Sequence, residues 1–205
     1  MKQSRIRLSK SVVGELEADA VRKVIIDDGY LGMGKQVQIF EQRLEKMFAR
    51  HCIAVNSGTA ALHLAIESII EPGDEVLVPS ITYVATYQAV VAAGGIPISC
   101  DVVTSDISID LNDAASKISS RTKAIVPVFY SGSAKSLDDI EAFCSSHKLR
   151  AVYDAAHAFG SMHNGELVGR HGDIFCFSFD GIKNITCGEG GAVVTKDQNV
   201  ANYCQ

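Results

Sequence analysis

The chain has 205 residues, 47% of them apolar and 21% charged, with a net charge of −5. That composition suits one good-sized soluble core. It lacks the basic excess of a general nucleic-acid binder, and no apolar run approaches the roughly 20 residues of a membrane span.

The first eleven residues, MKQSRIRLSKS, carry charge with no apolar stretch behind them, so they do not read as a signal peptide. A cytoplasmic, bacterial-type location is expected. Helices are predicted over 15–26 and 37–48; in the second, Val37, Phe40, Leu44, Met47 and Phe48 recur at helical spacing. Beyond them, short apolar runs alternate with helical stretches. CIAV (52–55) precedes a helix over 60–69, EVLVP (75–79) one over 85–93, and IPISC (96–100) one over 111–118. AIVPVF (124–129) precedes a helix over 137–144; AVYD (151–154), IFCFSF (174–179) and AVVT (192–195) complete the set. Apolar strands separated by helices pair in parallel and are covered on both faces. The expected fold is therefore an α/β/α three-layer sandwich with a mostly parallel sheet. A short Gly-rich loop joins the last two runs, so one of them should run antiparallel.

Ligands of open α/β sheets bind beyond the carboxyl ends of the strands, so the residues just after each run matter most. After CIAV, NSGTAAL (56–62) opens a helix with small residues and hydroxyls. Ser57 or Thr59 could cap that helix while Gly58 lets an anion approach the backbone of the Gly58–Thr59–Ala60 turn, or the stretch could be a simple N-cap after a tight turn. Tyr83, after EVLVP, could stack on a flat ligand or merely pack. Asp154 ends an apolar run, where a carboxylate needs a cation or several donors; the plainer alternative is a helix cap. His157 lies one turn on. His163 and His171 sit in a polar hairpin-like stretch and are expected to be solvated. Lys183 lies between two core runs, among Gly181, Gly188, Gly190 and Gly191. A lone lysine is usually a solvated charge, but a partly desolvated amine is a nucleophile suited to a Schiff base.

No metal site is expected, since no His or Cys spacing completes one, and no G-x-S-x-G elbow is present. The six cysteines are scattered and read as reduced core residues. GYLGMGK (29–35) begins like a nucleotide P-loop, but Gln36 stands where Ser or Thr is required and the preceding IIDD reads as a helix end.

A lysine, an anion cradle, a carboxylate and an aromatic face are together what pyridoxal 5′-phosphate needs. With GYLGMGKQVQIFE (29–41), NSGTAALHLA (56–65), PGDEVLVPSITYVATYQAV (72–90), RTKAIVPVFYSG (121–132), VYDAAHAFG (152–160) and FSFDGIKNITCGEGGAVVT (177–195), the sequence resembles the DegT/StrS-type sugar-nucleotide aminotransferases of fold type I. RIRLSKS near the start belongs to the same resemblance. It implies that Lys183 holds the cofactor covalently and moves the substrate proton. It implies that Asp154 pairs with the ring nitrogen, that His157 contacts the ring hydroxyl and that Tyr83 stacks on the ring. Thr59, Ala60 and Ser178, with the Gly58 turn, would hold the phosphate.

The implied reaction moves an amino group from L-glutamate to a keto-sugar nucleotide, nearest to the C4 amination of a 4-keto-6-deoxyhexose that forms dTDP-4-amino-4,6-dideoxyglucose. Its setting would be amino-sugar and O-antigen-type biosynthesis, in a homodimer. Phe129 and Ser131 replace the family's usual His and Tyr, and Asp180 stands where His or Phe is common. The length suggests the large cofactor-binding domain alone, without a smaller C-terminal domain, as a fragment or truncation. A non-catalytic cofactor- or partner-binding relative is the alternative. A dehydratase relative would replace the lysine, typically with His, and Lys183 argues against it.

Overall fold

The computed structural model describes residues 10–205. The expectations for RIRLSKS and the N-terminus fall on residues 1–9 and so lie largely outside the described residues. Among the described residues the α-helices are α1 (Glu15–Lys23), α2 (Lys35–Phe48), α3 (Gly58–Glu67), α4 (Val84–Ala92), α5 (Leu111–Ser116), α6 (Leu137–His147) and α7 (Gln198–Cys204). The strands are β1 (His51–Val55), β2 (Glu75–Pro79), β3 (Ile96–Cys100), β4 (Thr122–Ile125), β5 (Arg150–Asp154), β6 (Met162–His163), β7 (Glu166–Leu167), β8 (Ile174–Ser178) and β9 (Gly191–Thr195).

Seven strands form one sheet in the order β1-β9-β8-β5-β4-β2-β3, and β6 and β7 form a separate hairpin. All pairings from β8 to β3 are parallel; β9 runs antiparallel to both β1 and β8, as the short loop before it requires. The alternation along each strand divides the core in two. Tyr153, Phe175 and Phe177 face a cluster that includes Leu44, Phe48, Leu137 and Ile140 of α2 and α6. Val152, Ile174 and Cys176 face the other way, onto Ala61, Ala65, Ile66, Ala89, Val90 and Val200 of α3, α4 and α7. The sheet is thus buried on both faces between two helical layers, which is the expected three-layer sandwich.

The differences from expectation are local. The 15–26 helix ends as an α-helix at Lys23 and continues as one wide π turn, Val24–Asp28, closed by Gly29 at φ 64°. That helical run stands where a P-loop requires a strand. The apolar run 124–129 leaves regular pairing after Ile125, because Pro127 has no N–H to donate. Its carbonyl still accepts from Asp154 N–H at 2.8 Å, and Phe129 N–H donates to Asp154 O at 3.0 Å. The kinked segment therefore clamps Asp154 in place. The IPISC strand lies at the sheet edge, which is where Pro97 can be tolerated.

His163 is not solvated as expected. Its side chain is 16% exposed and shares a 2.8 Å hydrogen bond with Asp138. The cause is the turn between β6 and β7, where Asn164 and Gly165 both adopt positive φ and fold the hairpin back onto α6. All six cysteines are free, and five are buried. Among the described residues no helix is long and apolar enough to cross a membrane.

Two glycines hold the α3 N-terminus against the sheet. A Cβ at Gly191 would overlap the Ser57 carbonyl and lie 2.8 Å from Gly58 N; one at Gly58 would lie 2.8 Å from Ser178 Cβ. The groups that a Gly191 Cβ would meet are backbone and cannot swing away. Gly191→Ala is therefore expected to cost about 1–3 kcal/mol, the usual range for overpacking. It should lower the urea midpoint without changing the m-value, and it should weaken any anion bound at that turn.

Candidate active site

The carboxyl ends of β1, β2, β4, β5 and β8 open onto one cavity of about 580 Å³. Of the eight residues expected at a site, Gly58, Thr59, Tyr83, Asp154, His157, Ser178 and Lys183 line it. Ala60 does not: it sits one step behind the rim, and its N–H donates to Ser57 Oγ at 3.1 Å. Ser57 is thus the true N-cap, and its carbonyl takes the Ala61 N–H at 3.0 Å. Among the described residues no acceptor pairs with the N–H groups of Gly58 and Thr59. Those two donors, the adjacent Ser178 hydroxyl and the positive end of α3 form a place for an anion.

Asp154 is 6% exposed. No helix follows it, so the capping alternative does not hold; the segment after it runs through tight turns instead. Its Oδ2 accepts from the Thr86 hydroxyl at 2.9 Å and its Oδ1 from Ala156 N–H at 3.2 Å. Thr86 is bonded in turn to Thr82 Oγ1 at 2.7 Å. Burial pushes the carboxyl above its ordinary range; the Thr86 and Ala156 bonds, and the charges of His157 and Lys183, pull less strongly the other way. A carboxylate has about four acceptor positions, and these bonds use two. The acid is thus desolvated, under-satisfied and turned toward the cavity, and a cationic N–H on a ligand would complete it.

Lys183 reaches the cavity because of Asp180. The Asp180 side chain accepts from Ile182 N–H at 3.0 Å, and its carbonyl from Lys183 N–H at 3.0 Å. This turn reverses the chain after β8. The loop is then tied down by Asn184 Nδ2 to Phe159 O at 2.8 Å, by Thr186 Oγ1 to Phe179 O at 3.1 Å, and by the Ser11 hydroxyl on Gly181 O. Asp180 thus acts here as a turn-forming acceptor. His157 packs edge-on to Tyr130, with ring centroids 5.8 Å apart. Partial burial, and then the Lys183 charge, lower its pKa, which favours the neutral imidazole. Tyr83, the residue before α4, is 75% exposed at the cavity wall and free to cover a flat ligand. Phe129 is buried and stacked on Tyr153 at 5.4 Å, so the substituted position presents an apolar wall.

Ser57 is the N-cap that the sequence offered beside Thr59, while Thr82 and Thr86 escaped sequence reasoning. Thr82 and Thr86 could have been found from their position: Thr82 just precedes Tyr83 and Thr86 lies in the first turn of α4, on either side of the already suspected Tyr83. Taken together, the cavity offers an amine, an anion cradle, a buried acid and an aromatic wall. These fit a heterocycle carrying a protonated ring nitrogen, an aldehyde and a phosphate arm.

Comparisons with known proteins bear on that fit. Residues 12–205 match the DegT/DnrJ/EryC1/StrS aminotransferase family. Among solved structures, Helicobacter pylori PseC, an aminotransferase involved in the biosynthesis of pseudoaminic acid, superposes with a TM-score of 0.91 at 30% identity. The match covers 98% of this chain and 55% of that one. DesV of S. venezuelae gives 0.87 at 35% identity, covering 92% of this chain and 52% of DesV. E. coli GDP-4-keto-6-deoxy-D-mannose-3-dehydratase with bound hydrated PLP gives 0.88 at 25% identity, covering 97% and 53%. The chain therefore spans about half the length of the solved structures that it matches.

Proposed function

The chain belongs to the DegT/DnrJ/EryC1/StrS aminotransferase family, and from that membership we propose that it carries the cofactor half of a pyridoxal-phosphate-dependent sugar aminotransferase. The amino donor would be L-glutamate and the acceptor a keto-sugar nucleotide, of which a nucleotide-linked 4-keto-6-deoxyhexose is the first candidate. The observation that carries this reading is the meeting of Lys183, Asp154 and the two free N–H groups of α3 in one cavity.

Pyridoxal phosphate, when bound, supplies an aldehyde and an electron-withdrawing ring that stabilises a carbanion next to nitrogen. The chain's own residues do the rest. Gly58 and Thr59 N–H groups and the Ser178 hydroxyl hold the phosphate arm. Asp154, itself held by Thr86 and Ala156, would pair with the ring nitrogen and keep a proton on it. His157 would contact the ring hydroxyl as a neutral donor or acceptor. Lys183 Nζ would hold the cofactor and is the group placed to take and return the proton at the substrate carbon. Tyr83 and Phe129 wall the ring from water. The exposed apolar groups beside the mouth, Ile81, Tyr83, Val84 and Ile182, together with Leu16 and Val21 of α1, suit cover by a second copy of the chain in a homodimer.

The test is to mix purified protein with pyridoxal phosphate, L-glutamate and a panel of keto-sugar nucleotides. We expect 2-oxoglutarate and an amino sugar in equal amounts, with parallel lines in initial-rate plots, because both half-reactions use one lysine. Loss of oxygen without gain of nitrogen would make the chain a dehydratase. Failure to take up cofactor would overturn the reading altogether.

A further inference from the structure

A second cleft, of about 780 Å³, opens at the other end of the sheet. It is formed where β1, β5 and β8 begin and β9 ends, against the C-terminal end of α6. The reaction proposed above uses none of its residues. Five permanent cations line it: Arg50, Lys148, Arg150, Arg170 and Lys196. Two carboxylates do, Glu141 and Asp173. Asp173 is already neutralised by Arg150, at 2.6 Å and 2.9 Å. Asp197, outside the lining, also accepts from Arg150 at 3.1 Å; among the described residues the other four cations have no carboxylate within 4.0 Å, which leaves a positive excess over Glu141 and Asp197 together.

Arg50 is fixed rather than mobile. It donates to the carbonyls of Gly169, His171 and Gly172 at 3.1, 3.1 and 2.5 Å, which uses three of its five N–H groups. Arg170 is held by Met47 O at 3.0 Å. At the floor lies Tyr153. Its ring is fully buried, stacked at 4.5 Å on Phe175, and packs so tightly against Gly172 that a Cβ there would lie 3.0 Å from the ring. Among the described residues the Tyr153 hydroxyl has no hydrogen-bond partner. A buried hydroxyl without a partner costs free energy, and a phenylalanine there would avoid that cost. An orphaned donor beneath a cleft with surplus cations is what an oxyanion ligand would satisfy.

We propose that this cleft binds a small polyanion bearing phosphate or carboxylate groups. Lys148, Lys196 and Arg170 would supply the charge, and the Tyr153 hydroxyl a donor at the floor. The site is separate from the first cavity: β5 contributes Arg150, Ala151 and Tyr153 to it but presents Asp154 to the other.

Calorimetric titration of the intact chain at low ionic strength tests this, with pyrophosphate in one arm and citrate in the other. The two arms separate a phosphoryl from a polycarboxylate source. Binding is expected in at least one arm and should weaken as salt is added. Lys148→Gln with Lys196→Gln should cut that affinity by about tenfold or more. Tyr153→Phe should weaken it by about threefold or more while raising the thermal stability of the ligand-free chain, since the orphaned hydroxyl is gone. No heat in either arm, or heat indifferent to the double lysine change, would overturn the site. Affinity unchanged in Tyr153→Phe would remove the hydroxyl from it.

Discussion

Replacing Lys183 with alanine is expected to abolish covalent retention of pyridoxal phosphate while leaving the fold in place. Lys183 is half-buried on a loop whose turn is made by Asp180, Asn184 and Thr186, none of which depends on the lysine side chain. Its loss therefore removes chemistry rather than packing. Native protein loaded with cofactor and treated with borohydride should gain one cofactor mass on the peptide containing Lys183; Lys183→Ala should gain none. Turnover of glutamate and a keto-sugar nucleotide should fall by about four orders of magnitude, the upper end for loss of a positioned proton-transfer group. Lys183→Arg separates the two things a lysine brings. It keeps a cation near Asp154 and His157 but offers no nucleophilic amine, so it should bind cofactor without retaining it. Substantial turnover by Lys183→Ala without added amine would remove the lysine from the reaction.

The sheet was legible because its apolar runs are short, uninterrupted and bounded by turn residues, which is what burial on both faces demands. The antiparallel β9 was legible because twelve residues with several glycines (179–190) leave no room for a crossover helix. The site was legible wherever a residue type was costly in its place. A carboxylate ending an apolar strand and a lysine between two core strands both call for a partner. What escaped was set by contacts across the fold. Thr86 reads as an ordinary helix residue until the chain brings it onto an acid 68 positions later. Ala60 looked like part of the cradle because local sequence does not tell which N–H the Ser57 hydroxyl takes. His163 looked solvated because its Asp138 partner lies 25 residues before it, on another element. The positive φ at Asn164 and Gly165, which brings them together, is hinted at only by an Asn-Gly pair.

Asp154→Asn provides the second large effect, and its sign differs between function and stability. Asparagine has nearly the same shape, and its carbonyl oxygen can still accept from Thr86 or from Ala156 N–H. What it lacks is the negative charge that would hold a proton on the ring nitrogen. Cofactor should still bind, while amino transfer slows by about two to three orders of magnitude, as when one preorganised electrostatic group is removed. Thr86→Val is the companion change. It takes one donor from the carboxylate, so the charged form is less favoured, the carboxyl pKa rises, and the acidic limb of the rate–pH profile moves to higher pH. A purely structural threonine would leave that limb where it was.

Stability of the cofactor-free chain should move the opposite way. Burial raises the Asp154 pKa above its unfolded value, so folding favours the protonated acid. The resulting penalty is absent below the unfolded carboxylate pKa, grows as pH rises between the unfolded and the folded pKa, and is complete above the folded one. Asp154→Asn should therefore melt higher than the native chain at neutral pH, by about 2–4 °C for each kcal/mol relieved in a chain of this size. The difference should vanish toward pH 3. An acid retained at the expense of the empty fold implies a ligand that repays it with a positive charge. Equal melting temperatures at neutral pH would mean that the Thr86 and Ala156 bonds already satisfy the carboxylate, and the case for a cationic ring nitrogen at that position would fail.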